Sequence, residues 1–136
     1  MTKDVALIVG GGPGISASCA RLFAKSGMQV AIAARTPDKP VLQNLERMHG
    51  VRRYAGDASE PAAVELLFQN VGRDLGAPRL VVHNIDGRVA GIFRKGITEA
   101  DASMALETLR NSAFSAFLVG QQAARLMREN EPGANG

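Results

Sequence analysis

The sequence predicts an α/β fold, a doubly wound parallel sheet of about four strands with helices on both faces. Three observations carry this. Apolar runs at Val5–Val9, Met28–Ala34 and Arg79–Asn84 alternate with segments of helical period. The first two runs and the helix between them make a unit of about 30 residues, the size of a parallel strand–helix–strand crossover. Gly10, Gly11, Gly12, Pro13 and Gly14 stand at the first strand-to-helix junction, where the chain must turn tightly.

In chain order, Val5–Val9 is apolar throughout, as a strand buried on both faces must be. The glycines after it cost chain entropy and pack nothing. They read as a plain structural turn or as a phosphate site, because a helix N-terminus behind a glycine turn offers free N–H groups and partial positive charge. Ile15–Lys25 is helical, with Ile15, Cys19, Leu22 and Phe23 on one face. Gly27 ends that helix as a C′ residue, and Met28–Ala34 is the second strand. Thr36 caps a second helix with Pro37 at its first position. Pro40 removes a donor one turn in and delays or disturbs the start. Val41, Leu45 and Met48 form that helix's buried stripe, and Gly50 stops it.

Val51–Gly56 is a weaker third strand, expected at an edge because charge is tolerated there. Asp57-Ala58-Ser59 leads into a third helix, Pro61–Leu75, burying Val64, Leu67, Phe68 and Val71. Gly76-Ala77-Pro78 ends it, and Arg79–Asn84 is the fourth strand. Ile85–Gly96 is a glycine-containing loop. Thr98 then caps a long helix running to about Arg128, with Asp101 in a capping-box-like position. Its apolar residues are Met104, Leu106, Leu109, Phe114, Phe117, Leu118 and Met127. Residues 1–128 read as one domain and 129–136 as a flexible tail. By analogy with Rossmann-type sheets, the strand order is 3-2-1-4 and the ligand sits between strands 1 and 4.

Composition narrows the classes. With 136 residues, 46% hydrophobic and 21% charged, the chain can bury a core and is not disordered. Its net charge of +3 comes from scattered basic residues, and aromatics are 4%. A nucleic-acid partner is therefore not expected. The single cysteine, Cys19, permits no internal disulfide and reads as a core filler in a reducing compartment. No run has membrane-spanning length, and the start MTKDVALIVG lacks a signal-peptide layout. A cytoplasmic location is expected. His49 and His83 stand in no metal-ligand spacing, so no metal site is predicted.

The fingerprint GxGxxG is not met, because Gly10 and Gly12 are followed by Ile15. Gly10-x-x-x-Gly14-x-Ser16 instead resembles the TGxxxGxG turn of the short-chain dehydrogenase/reductase family, with Val9 in the Thr position and Ser16 in the last Gly position. The resemblance runs in register along nearly the whole chain. It implies that Gly10, Gly11, Gly12, Gly14 and Ile15 form the phosphate turn. After the second strand, Ala34 stands where an NAD-preferring site carries an acid, and Arg35 follows. Alone, Arg35 reads as a solvated surface residue. Behind the glycine turn, Arg35 and Thr36 look like a site for the 2′-phosphate of NADP, since arginine binds phosphate through paired donors; NAD fits less well.

Asp57-Ala58 is similar to the family's Asp-Val or Asp-Leu pair, which meets adenine; an Asp there also starts a turn. His83-Asn84-Ile85-Asp86 resembles a degraded NNAG motif, with Asp86 in the Gly position. Asn84 matches its second Asn and implies contact with the inner ribose. His83 alone reads as a core-edge histidine bonded to backbone. Asn111 matches the family's helix Asn, which holds a water in the proton relay; without the flanking match it is a surface residue.

Family members transfer hydride between NADP(H) or NAD(H) and a carbonyl or alcohol, using a Ser and a Tyr-x-x-x-Lys pair. Here the only tyrosine is Tyr54, with Ala58 four residues on. The chain stops at Gly136, where the family's fifth strand would begin. The sequence thus resembles the cofactor half of a family member, expected to be inactive as an isolated chain. The alternatives are a non-catalytic nucleotide-binding or protein-interaction module, or a fragment whose other half lies elsewhere. An open fourth strand and an apolar last helix predict a homo-oligomer.

Overall fold

The computed structural model of the chain describes residues 2–132. The final residues of the expected tail, 133–136, lie outside the described residues. The elements run β1 (Val5–Val9), α1 (Ile15–Lys25), β2 (Gln29–Ala34), α2 (Pro40–His49), β3 (Arg52–Ala55), α3 (Pro61–Asp74), β4 (Pro78–His83), α4 (Ala102–Leu109) and α5 (Ser115–Met127). A 3-10 turn, Ile92–Arg94, interrupts the loop before α4, and a π-helical turn, Arg110–Phe114, joins α4 to α5.

All strand pairs are parallel and the order is β3-β2-β1-β4. This is the expected 3-2-1-4 arrangement with β3 at an edge. Successive side chains of a strand point to opposite faces, and β1 shows it. Leu7 packs on one face with Val64, Phe68 and Leu118 from α3 and α5. Ile8 packs on the other with Ala17, Ala20, Leu42 and Leu45 from α1 and α2. Both faces are covered, so all five residues of β1 are buried. The expected stripe of α3 is buried in full.

Other expectations are corrected. On α1 the buried residues are Ser16, Ala17 and Ala20, while Ile15 and Leu22 are exposed. Small side chains let this helix lie close to the sheet beside the glycine turn, while Cys19 and Phe23 of the expected face are half-buried against the same core. On α2, Lys39 is the N-cap and Pro40 the first helical residue, not Thr36 and Pro37. Proline is tolerated where no helical N–H is needed, so the helix begins there. Leu42 and Leu45 form its buried stripe, and Met48 is exposed.

Thr98 caps no helix. The amides of Glu99 and Ala100 bond to the Gly96 carbonyl in a separate turn, and α4 starts after Asp101. Asp101 makes no side-chain cap bond and instead accepts from Lys95 Nζ at 3.2 Å. Two serines account for the π-turn. Ser112 Oγ donates to the Thr108 carbonyl at 2.6 Å, and Ser115 Oγ lies 2.7 Å from the Asn111 carbonyl. Such bonds compete with the backbone ladder and loosen it locally. Of the apolar residues along the α4–α5 stretch, Leu118 is buried and Met104 and Met127 are half-buried. Leu106, Leu109, Phe114 and Phe117 are exposed.

Candidate functional site

The site is built where β1 and β4 end and α1 begins. Gly10 has φ +109°, and a Cβ on it would stand 2.1 Å from the Asn84 carbonyl oxygen. No other residue fits there. The amides of Gly10 and Gly11 both donate to the Ala33 carbonyl at 2.9 Å, turning the chain sharply off β1. Ser16, which is fully buried, locks the turn: its Oγ donates to the Gly10 carbonyl at 2.6 Å and accepts from Asn84 Nδ2 at 3.0 Å. The Asn84 amide donates to the Val9 carbonyl at 2.9 Å. Ser16 and Asn84 thus tie α1 and the end of β4 to the turn.

Gly11 is tight for another reason, since its missing Cβ would meet Leu42 Cδ1 at 2.9 Å. Gly12 and Gly14 differ. Chain neighbours aside, no protein atom lies within 4 Å of where their Cβ atoms would be, and neither has a positive φ. No packed element therefore crowds a side chain at these two positions. Both face open space, where a side chain would occupy room that a ligand can use. Gly14 also stands at the N-cap of α1 without a side-chain cap, leaving the helix N-terminus open to an anion.

The turn forms one wall of a cleft of about 1080 Å³. Gly10, Gly11, Gly12, Gly14, Ile15, Arg35, Thr36, Asp57, Ala58, Asn84 and Asn111 all line it. Residues spread over five segments of the sequence are therefore brought together. Arg35 and Thr36 are exposed on the rim after β2. No salt bridge among the described residues involves Arg35. Asp57 is organised by its neighbour: Ser59 Oγ and the Ser59 amide donate to Asp57 Oδ1 at 2.7 and 2.9 Å. The hydroxyl bond, then the amide bond, holds this carboxyl below the usual range, so it is ionised at neutral pH. Asn111 sits on the π-turn and lines the cleft from there.

His83 keeps a backbone bond, to its own main chain, and adds a side-chain one: Nε2 lies 2.8 Å from Ser115 Oγ. Ser115 Oγ also reaches the Asn111 and Ser112 carbonyls at 2.7 and 2.9 Å. Burial lowers the His83 pKa, which keeps the ring neutral. Tyr54 is not among the cleft-lining residues; its hydroxyl donates to Asp74 Oδ2 at 3.1 Å. Among the described residues no cluster of three His, Cys, Asp or Glu could hold a metal, and no helix is long and apolar enough to cross a membrane.

Three features of the cleft escaped the sequence reading. Lys39 lines it and donates from Nζ to the Gly11 carbonyl at 3.2 Å; its place four residues after Arg35, as the N-cap of α2, is what brings it there. Gly87 is buried, and a Cβ on it would lie 2.6 Å from the Ser112 amide and 2.7 Å from the Asn111 carbonyl carbon. Gly87, not the residue at 86, is thus where β4's loop makes its close approach to the π-turn. Asp86 is exposed, and its carboxylate is bound by both Nε and Nη2 of Arg88. Only the geometry shows that pairing.

Comparison with known proteins follows the same lines. A family model described as "Enoyl-(Acyl carrier protein) reductase" matches residues 10–135. None of the curated proteins matches. Among solved structures, a short-chain type dehydrogenase/reductase from Mycobacterium marinum superposes with TM-score 0.82 at 24% identity, over 93% of this chain and 51% of that one. A short-chain dehydrogenase/reductase from Serratia marcescens gives 0.78 at 21%, over 93% and 51%. YwfH, an NADPH-dependent reductase involved in bacilysin biosynthesis, gives 0.81 at 22%, over 97% and 56%. The chain spans about half the length of these structures.

Proposed function

The chain belongs to the short-chain dehydrogenase/reductase family, and from that premise we propose that residues 1–128 are one NADP-preferring dinucleotide-binding domain. The whole protein would transfer hydride between NADP(H) and a carbonyl or alcohol. One observation carries this reading: Gly12 and Gly14 leave open space within a cleft that gathers every position matched to the family's cofactor residues. In the proposed complex the pyrophosphate lies on the glycine turn at the N-terminus of α1. Arg35 and Thr36 meet the 2′-phosphate, Asp57 and Ala58 the adenine, and Asn84 the inner ribose. Asn111 keeps the relay position that the family resemblance implies.

Arg35 is the residue that separates NADPH from NADH. Arg35→Ala should weaken NADPH binding at least tenfold, about 1.4 kcal/mol, and leave NADH binding unchanged. Calorimetric titration of both nucleotides reads this directly. Equal loss for both, or no loss, contradicts the NADP assignment.

Binding and turnover are separable in this chain, because its one tyrosine is turned away on β3 and bonded to Asp74. That observation favours a second reading, a nucleotide-binding module without catalysis. Turnover of a carbonyl substrate by the chain would exclude it. Self-association belongs to the proposal as well. Leu106, Leu109 and Phe117 are exposed on the helix after the cleft, and such patches mark interfaces. Light scattering at micromolar concentration should show more than a monomer, and a monodisperse monomer contradicts it.

A further inference from the structure

The cleft carries a charge problem that the chain resolves locally. Arg35, Lys39 and Arg88 line it together with Asp57, Asp86 and Glu107, so the formal charges cancel. A dinucleotide brings its own negative charge. Asp86 is the most costly of the three acids for such a ligand, because it stands where the resembling motif has glycine, one residue after two others that line the cleft, Asn84 and Ile85. An unpaired carboxylate there would repel the pyrophosphate.

Asp86 is not unpaired. Arg88 Nε and Nη2 donate to its two oxygens, and the Arg88 amide donates to Oδ1 at 3.2 Å. The Arg88 guanidinium also lies over the Phe93 ring, 4.8 Å from its centroid. The carboxylate side and the ring side together hold it in one orientation, and two parallel donors match a carboxylate better than a lone ammonium does. The two residues are separated only by Gly87, which is packed against the π-turn, so the pair is fixed to the same surface that presents Asn111.

We propose that Arg88 is a positioning residue for cofactor binding, neutralising Asp86 so that an anionic dinucleotide can share the cleft with it. This rests on the dinucleotide reading above and adds the device that lets this chain tolerate an acid there. The effect concerns the shared pyrophosphate and not the 2′-phosphate, so NADPH and NADH are affected alike. That separates Arg88 from Arg35. Both partners are partly exposed, so the effect is moderate and screened by salt.

The test is a double-mutant cycle by calorimetric titration with NADPH and NADH, at about 20 mM and about 500 mM salt. Arg88→Ala should weaken both nucleotides about threefold or more at low salt, with the gap closing at high salt. Asp86→Asn should bind at least as well as wild type. Asp86→Asn/Arg88→Ala should restore binding, and Arg88→Lys should keep most of it. Melting temperatures of all four variants should stay near wild type. Wild-type affinity in Arg88→Ala, a weak double variant, loss in Asp86→Asn equal to that in Arg88→Ala, or a gap that ignores salt would each overturn the proposal. Wild-type protein that binds neither nucleotide would instead overturn the dinucleotide reading itself.

Discussion

Gly10→Ala should destabilise the chain by about 2–6 kcal/mol and lower its melting temperature by about 10 °C or more. Two independent costs combine. The φ of +109° is strained for any residue with a side chain, and the new Cβ would sit 2.1 Å from the Asn84 oxygen and 2.7 Å from its carbon. These are backbone atoms held in the β1–β4 pairing by the Asn84 amide bond to Val9, so they cannot swing aside. The strands would have to separate at their ends, or the turn would have to open and lose the Ser16 bond to the Gly10 carbonyl. Small domains have only about 5–15 kcal/mol in total, so a large share of the variant should be unfolded under mild denaturant. Chemical denaturation followed by circular dichroism reads the change. A variant as stable as wild type would show that the turn is not held as described.

Gly12→Asp should do the opposite: leave folding intact and abolish binding. Chain neighbours aside, no protein atom lies within 4 Å of the Gly12 Cβ position, and its φ is not in the left-handed range. The side chain enters the cleft without a clash, and the melting temperature should stay within a few degrees of wild type. In the cleft it occupies the space proposed for the pyrophosphate and adds a negative charge facing it. Binding of NADPH and NADH should fall at least about 100-fold, or some 2.7 kcal/mol. Gly12→Ala should show a smaller loss in the same direction. The contrast between Gly10 and Gly12 matters because the two glycines are two residues apart in one turn. One is required by the fold; the other leaves open the space proposed for the ligand.

What could be read beforehand divides along physical lines. The alternation of strands and helices and the buried stripe of α3 follow from period and from the apolar runs, which reflect burial directly; the sheet order came by analogy with Rossmann-type sheets, and β3 at the edge from the charge it carries. The glycine turn, Arg35, Asp57 and Asn84 were legible because each occupies a motif position, and the fold brings them to one cleft. The buried face of α1 was legible in part: Cys19 and Phe23 pack against the core, while hydrophobicity also pointed to Ile15 and Leu22, where the sheet selected the small residues Ser16, Ala17 and Ala20. The start of α2 was set by which proline the helix could accept. The π-turn depends on serine hydroxyls reaching carbonyls in the preceding turn, which periodicity does not encode. Gly87, Lys39 and the Asp86–Arg88 pair are matters of three-dimensional approach. The exposure of Leu106, Leu109 and Phe117 on the last helices agrees with the apolar surface expected there, since apolar content alone does not separate burial within a chain from burial against a partner.

The most direct test of the account is calorimetric titration of NADPH into the wild-type chain and into Gly12→Asp, with both melts recorded in the same buffer. Saturable one-to-one binding to wild type, none to Gly12→Asp, and similar melting temperatures are expected. Absence of binding to a folded wild-type chain, or equal binding to both proteins, would contradict it: the glycine turn would then be a structural corner and not a phosphate site.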